Sequence, residues 1–438
     1  MRISIVSVAL GILLTGSCAQ ASEVTYANVR PILEKRCVGC HARGEIGPMP
    51  LGAYADARPW AKAIRAAVIS KTMPPWHAAP GSAHAFLNDR SMSQGEIDTL
   101  VKWVDAGSPD DPAVQARSHA IKEPGGWRLG DPDLVLRVPG MQIPKSGILQ
   151  YSFVIFPLHF DHDVWVRAAE WHIDQRGQVH HMNAFVREPG SSYLADFPKD
   201  EIFTPTVAER GKKRSDEAVF ARRQLLQGYE PGYAPMPWLP DGAKLIKAGS
   251  DVIFEMHFNT NGKEAVDHTE LGLYFAPAAP ANRVVAVDTL RDLDLAIPPA
   301  SANYMSNASM KLGSPARLLS IQPHMHVRGK SMEVRAIYPD GRKELLLSVP
   351  KYDFNWQTTY AIKNPPLLPT GTVLESVAGY DNSPNNKFNP DPAATVGWGD
   401  QTTSEMHIAF LELVVDAKAD VEKLLTVQPK MIGTPAGR

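Results

Sequence analysis

Two histidines lie one residue apart in the segment Gln322-Pro323-His324-Met325-His326. The segment alternates as a β-strand does, and residues i and i+2 of a strand face the same side of a sheet. His324 and His326 therefore predict two imidazoles aimed at one point, which is two-thirds of a three-ligand metal site. Imidazole binds copper, zinc, iron and nickel, so the pair alone leaves the metal open, and it also fits two ordinary strand histidines.

A distant methionine and a second set of histidines narrow the choice of metal. The thioether of Met406 is a soft ligand that favours Cu(I) and is unusual for zinc. His180 and His181 are adjacent, and neighbours in a regular strand point to opposite faces. They can share a metal only if the strand bends or ends there, or if each ring uses a different nitrogen. His257, on an alternating strand predicted over residues 251–258, could complete that set.

Cys37-Val38-Gly39-Cys40-His41 has the C-x-x-C-H pattern of covalent c-type haem attachment. In that pattern Cys37 and Cys40 form thioethers and His41 is the proximal iron ligand. A redox dithiol is the alternative, but such motifs lie in a βαβ context and need no histidine at that place. The motif predicts one covalently bound c-type haem.

The second axial ligand of the haem is expected on a rigid loop. Met73, in Thr72-Met73-Pro74-Pro75-Trp76, is the first candidate because the prolines hold the loop without a helix. Met49 is the alternative, and His77 and His84 are weaker candidates. Thioether ligation would raise the reduction potential.

The N-terminus has the features of an export signal. Arg2 precedes an apolar run from Ile3 to Leu14, and Ala19-Gln20-Ala21 is a small-residue cleavage site, so residues 1–21 predict a signal peptide cleaved after Ala21 and a periplasmic protein. A lipid anchor on Cys18 is the less favoured alternative. No other stretch is long and apolar enough to span a bilayer, and a net charge of −2 gives no indication of nucleic-acid binding.

Hydrophobic periodicity changes along the chain and predicts a multidomain protein. Residues 22–109 have helical spacing, with Ser93 and Glu96 as a capping box, and predict a small all-α domain that resembles a class I cytochrome c. Residues 110–130 are a polar linker. Short alternating runs separated by turn residues then predict two antiparallel β jelly-roll or sandwich domains, at 131–278 and 279–425, before a tail at 426–438.

Four motifs in order resemble the copper type II, ascorbate-dependent monooxygenases, the family of peptidylglycine α-hydroxylating monooxygenase and dopamine β-monooxygenase. They span about residues 131–415 and are His180-His181-Met182, Glu255-Met256-His257-Phe258, His324-x-His326 and Glu405-Met406. The resemblance implies two copper ions. It places an electron-transferring copper on His180, His181 and His257, and an oxygen-binding copper on His324, His326 and Met406. It also implies two jelly rolls whose metals face each other across an open cleft.

The chain departs from this family at the substrate site and in its cysteines. Where the peptide-hydroxylating member holds a substrate carboxylate with arginine, asparagine and tyrosine, this chain has Gln322, Ile408 and Phe410. No cation would meet a peptide C-terminus, so peptide amidation is not expected. Apart from Cys37 and Cys40 the mature chain has no cysteine, so the β domains must form without disulfides.

Together these features predict an exported copper-dependent monooxygenase that hydroxylates a C–H bond of a small organic substrate with O2. An external donor would supply electrons through the haem to the histidine-only copper. The alternative is a periplasmic electron-transfer or copper-binding protein without oxygenase activity. A haem sensor is a third possibility, against which a methionine ligand counts because a six-coordinate iron leaves no open position.

Overall fold

The computed structural model describes residues 24–43, 45–111, 126–206, 209, 223–231, 238–239, 241–399 and 401–427. The predicted signal peptide, its cleavage site and Cys18 lie outside the described residues. So do most of the predicted linker and the end of the predicted tail.

Short helices occupy the N-terminal part of the described chain. They are α1 Tyr26–Arg36, α2 Tyr54–Ala57, α3 Ala61–Ile69 and α4 Gln94–Asp105, with a 3-10 turn at Arg58–Trp60. A second 3-10 turn, Val421–Lys423, lies near the C-terminal end of the described chain. The predicted capping box of α4 is confirmed, since Ser93 Oγ accepts from Glu96 N at 3.2 Å and Ser93 N donates to the Glu96 carboxylate at 2.8 Å. None of the described helices has the length and apolar character needed to cross a membrane.

The prediction of a small all-α cytochrome c domain over residues 22–109 is wrong. Helix makes up 12% of the structure and strand 37%, and only three of the described helices are longer than a single turn. Residues 76–88, here called the strap, leave the helices and lie on the β-sheets. Their backbone bonds to strand residues, as in Leu87 N to Ala361 O at 2.8 Å, and Phe86 bridges Ile362. The physical reason is the proline run at 74, 75 and 80, which removes helical N–H donors.

Twenty-two strands make up the rest of the described chain. They are β1 Leu134–Arg137, β2 Met141–Ile143, β3 Ser152–Pro157, β4 Val164–His172, β5 Val179–Arg187, β6 Arg223–Tyr229, β7 Gly242–Ile246, β8 Asp251–Phe258, β9 Ala265–Asp267, β10 Glu270–Phe275, β11 Asn282–Arg291, β12 Ala296–Ile297, β13 Tyr304–Leu312, β14 Ala316–His324, β15 Gly329–Ile337, β16 Lys343–Val349, β17 Tyr360–Ala361, β18 Leu367–Leu368, β19 Val373–Tyr380, β20 Val396–Gly397, β21 Ile408–Asp416 and β22 Leu425–Val427. The last long strand begins at Ile408, two residues after Met406.

A nine-stranded sheet runs through the whole β region in the order β1-β10-β4-β7-β11-β21-β14-β17, with β18 also paired to β14. The sheet β3-β8-β5-β6 covers its first half, and the sheet β16-β15-β19-β13-β22 covers its second half. A separate apolar core fills each of the two spaces. This arrangement agrees with the predicted β-sandwiches.

One strand pair joins the two halves. β7 and β11 are parallel, with Asn282 opposite Gly242 and Arg283 opposite Ala243, whereas the neighbouring pairs are antiparallel. A continuous ladder therefore runs from the first core to the second, and the division into domains at 278/279 remains a prediction.

The first core depends on large aromatic side chains. Phe254 is fully buried and its ring lies 4.8 Å from that of Trp171 across the two sheets. We expect Phe254→Ala to lower the free energy of unfolding by about 3–5 kcal/mol, because it removes buried surface and leaves a cavity. Phe388→Ala, at a side chain 70% exposed, is the matched control and should change stability by less than about 0.5 kcal/mol. Equal shifts in the urea midpoint would contradict the assigned core.

Candidate metal centres

The first histidine cluster forms where β5 pairs with β8. His181 lies opposite His257, and the register shifts between Val179 and His181, so His180 is an extra residue in its strand. A β-bulge of this kind places consecutive side chains on the same side of a sheet. One ring nitrogen each from His180, His181 and His257 therefore lies within 4.8 Å of the others. This resolves the conflict posed by adjacent histidines in a regular strand.

The first cluster has the chemistry of a metal ligand set. His180 Nδ1 and His181 Nδ1 face each other at 3.1 Å, and His257 Nδ1 is buried without a hydrogen-bond partner in the described structure. Burial lowers the pKa of all three histidines, that of His257 to about 4, so the rings are neutral at pH 7. Neutral, convergent imidazoles fit a metal ion such as copper.

Tyr151, the residue just before β3, packs its ring against this cluster. Its ring stacks on His257 at 4.6 Å and 23° and lies 5.5 Å from His181. Sequence reasoning did not find Tyr151, because only the pairing of Ser152 with Met256 brings the start of β3 beside His257.

The second cluster forms at the end of β14. The rings of His324 and His326 lie 5.3 Å apart, while Met325 between them is fully buried on the opposite side, as the predicted alternation requires. His324 Nδ1 lies 2.6 Å from Gln357 Oε1, and His326 Nδ1 lies 3.2 Å from Ser404 O. Both oxygens accept, so each Nδ1 carries the proton and each Nε2 carries the lone pair that a metal needs.

Met406 reaches this cluster through the pairing of β14 with β21. His324 lies opposite Ile408, so continuing the antiparallel register places Met406 opposite His326. Glu405 fixes the contact, because its carboxylate accepts from His326 N at 2.8 Å and from Arg328 N at 2.6 Å. Tyr380 OH donates to Met406 O at 2.8 Å. The structure thus brings the backbone of Met406 beside His326, and ligation by its sulfur remains a prediction.

A half-buried acid, Glu230, bonds to Gln322, the residue at the place where the family that the motifs resemble has a substrate-binding arginine. Gln322 Nε2 donates to Glu230 Oε1 and, at 2.9 Å, to Gln357 O. Burial raises the pKa of Glu230 to about 7, and its bond to Gln322 opposes the rise. The sequence carried no signal for Glu230 or Gln357, since both come from segments far from the histidine motifs.

The C-x-x-C-H segment follows α1 directly. His41 Nδ1 lies 3.0 Å from Met49 O, so this carbonyl accepts its proton and Nε2 carries the lone pair. Burial raises the pKa of Cys37 to about 11 and also raises that of Cys40. A redox dithiol needs a lowered thiol pKa. The residues therefore fit haem attachment better than thiol redox chemistry.

The candidates for the second haem ligand lie in different surroundings. Met73 follows α3, and its N–H bonds to Ala67 O at 3.4 Å. Met49 packs with its side chain against the helical core and uses its carbonyl for His41. His84 Nε2 lies 3.0 Å from Glu344 Oε1 on β16, which ties it to the β-sheets. Met73 therefore stays the prediction for this position.

Other histidines have local partners. His407 is fully buried between Ser306 Oγ at 2.7 Å and Ser376 Oγ at 2.8 Å, a structural role. His172 Nδ1 lies 3.3 Å from Glu270 Oε2, and the exposed His162 lies 2.6 Å from its neighbour Asp161. Among the described residues, clusters of three His, Cys, Asp or Glu suited to a metal comprise His180, His181 and His257 alone.

No family model matches the chain, and no curated protein matches it. Among solved structures, the infectious bursal disease virus Gx strain aligns with 68% of this chain and 76% of its own, at 10% identity and a TM-score of 0.19. The VP2 subviral particle of that virus aligns with 68% of this chain and 75% of its own, at 9% identity and a TM-score of 0.19. The stem and receptor binding domain of spike protein P1 from bacteriophage PM2 aligns with 62% of this chain and 98% of its own, at 6% identity and a TM-score of 0.14. TM-scores this low carry no argument about this chain.

The lowered pKa values predict how acid acts on the metal-free protein. The pKa of His257 is about 4 and that of His326 about 3 in the folded chain, against 6.5 for an ordinary histidine, because burial disfavours the charged ring. Below pH 6.5 the unfolded chain takes up protons that the folded chain does not, so stability is lost as the pH falls toward 4. NMR titration of the ring C–H signals should show both rings neutral at pH 5.5 when folded and titrating near 6.5 in urea. Titration of both near 6.5 in the folded protein would contradict the burial of the clusters.

Proposed function

We propose that this protein is an exported copper-dependent monooxygenase that hydroxylates a C–H bond of a small organic substrate with O2. The observation that carries the proposal is the bulge in β5, which makes His180, His181 and His257 converge on one point with their nitrogens available. Two facing histidine clusters on separate sheet ends suit two copper ions with different roles. When bound, copper supplies one-electron storage and O2 activation.

The chain's own groups keep each cluster ready for metal. Burial lowers the pKa of His326 and of the three histidines of the first cluster, which favours their neutral form. Gln357 and Ser404 fix the tautomers of His324 and His326 so that both present Nε2. Glu405 holds the backbone of the turn on which these ligands lie. A preset ligand geometry removes the need to reorganise side chains when metal or O2 arrives.

A covalent c-type haem on Cys37 and Cys40 would deliver electrons one at a time from an external donor. The haem-bearing segment lies against the first β-sandwich, where Glu45 Oε1 lies 3.3 Å from Arg176 NH1 on the turn before β5. Arg90 lowers the pKa of both Cys40 and Glu230, against the larger effect of burial. The charge of Arg90 thus influences both the C-x-x-C-H motif and the acid that bonds to Gln322, which is compatible with electron delivery from this side.

The surroundings of His324 favour a substrate without a carboxylate. Gln322 and Phe410 lie opposite each other on β14 and β21, and the Phe410 ring is 5.7 Å from that of His324. Gln322 is uncharged and bonds to Glu230. A peptide C-terminus would therefore meet no cation at residue 322.

The proposal is tested by measuring O2 consumption and hydroxylated product with a panel of small substrates and a reductant. Met406→Ala should lower product formation by about 100-fold or more, because it removes a ligand of the oxygen-binding copper, while haem content is unchanged. Met305→Ala, at a methionine 54% exposed, is the matched control and should retain activity. Full product formation by the copper-free protein would contradict the proposal. Electron transfer without any product would favour the carrier alternative.

The haem assignment has its own test. We expect the double variant Cys37→Ser, Cys40→Ser to lose covalently bound haem, because no thiol remains to form the thioethers. Haem staining after denaturing electrophoresis measures the loss, and copper content should stay at the wild-type value. Retention of covalent haem in the double variant would contradict attachment at this motif.

A further inference from the structure

Phe354 lies between the two histidine clusters. Its ring centroid is 6.2 Å from that of His180 at an interplanar angle of 30°, and 6.0 Å from that of His326 at 85°. His180 belongs to the first cluster and His326 to the second. One apolar side chain therefore spans the gap that the family resemblance predicts to be an open, solvent-filled cleft.

The loop that carries Phe354 is tied to the second cluster on both sides of the ring. Tyr352 OH accepts from Met325 N at 3.2 Å and donates to Met325 O at 2.8 Å. Gln357 Oε1 accepts from His324 Nδ1, and Gln357 Nε2 donates to Phe354 O at 3.4 Å. These bonds restrain the backbone around the ring, so its position is set by the same residues that set the ligands.

The strap contacts the end of this loop that leads into β17. Asn88 Nδ2 donates to Thr359 O at 2.6 Å, and Ala361 N donates to Asn88 Oδ1 at 3.1 Å. The ring of Trp76 packs edge-on against Tyr360 at 4.9 Å. A single connection between β16 and β17 thus contacts both clusters and the strap.

An apolar ring in this place has two physical effects. It excludes water from the space between the clusters, which lowers the local dielectric and strengthens electrostatic interactions across it. It also packs against a ligand ring on each side, and such ring pairs are stabilising at these distances. Removing the ring would free both ligands and admit water.

We propose that Phe354 is a positioning residue for both histidine clusters, fixing their separation and excluding water between them. This inference rests on the proposed function where it concerns copper. The positioning itself is a property of the metal-free chain, so the two can be tested apart.

The first test uses the metal-free protein. We expect Phe354→Ala to speed amide hydrogen exchange about tenfold in peptides covering both residues 179–183 and residues 324–326, because the ring supports both clusters. Phe354→Leu keeps most of the apolar volume of the side chain. We therefore expect amide exchange in both peptides to stay close to the slow wild-type rate in this variant. Phe388→Ala is the exposed control and should change neither peptide. Unchanged exchange at either cluster in Phe354→Ala would overturn the proposal.

The second test uses protein loaded with Cu(II). Continuous-wave EPR of the wild type should show dipolar broadening from two nearby Cu(II) ions, and Phe354→Ala should lose this broadening at equal copper content. Broadening that is unchanged in Phe354→Ala would overturn the role in fixing the separation. A wild type that binds no copper would contradict the proposed function, whereas the exchange experiment would still decide whether Phe354 positions both clusters.

Discussion

The backbone register between β5 and β8 is the constraint on which the candidate function depends. A regular antiparallel pair would send His180 and His181 to opposite faces, and one of them would be lost to the site. The one-residue irregularity at His180 turns both rings toward His257. The core positions on either side, Val179 and Met182, remain fully buried, so the bulge changes the direction of a ligand without disturbing the packing beneath it.

The second cluster depends on connections between elements that are distant in sequence. β14 and β21 bring the His324 and Met406 segments together, while the loop before β17 supplies Gln357 and Phe354. Asn88 of the strap is hydrogen-bonded to the end of this loop. The first cluster stands on β5 and β8 of the four-stranded sheet, whereas the second stands at the end of β14 in the nine-stranded sheet. The two clusters therefore lie on different sheets, and the Phe354 ring packs near a histidine of each.

The sequence predicted what local patterns encode. Alternation identified the strands that carry His257 and His324, and the capping box located the start of α4. The all-α domain was wrong because helical stripes reveal local periodicity and not what a proline-rich segment packs against once the chain has folded. Sequence patterns do not identify Phe354 for a related reason, since its proposed role comes from long-range contacts and no local motif marks it. The sequence required a bend, a strand end or the use of different ring nitrogens at His180 and His181, and only strand pairing shows that the structure has a bulge there.

We propose that each of the two clusters of three side chains binds a copper ion, with sulfur at one of them only. Copper analysis combined with X-ray absorption of the reduced protein tests this directly. Two coppers per chain are expected, with nitrogen ligands and a single sulfur scatterer that disappears when Met406 is replaced. One copper or none per chain, or a sulfur signal that survives the replacement of Met406, would contradict the proposal.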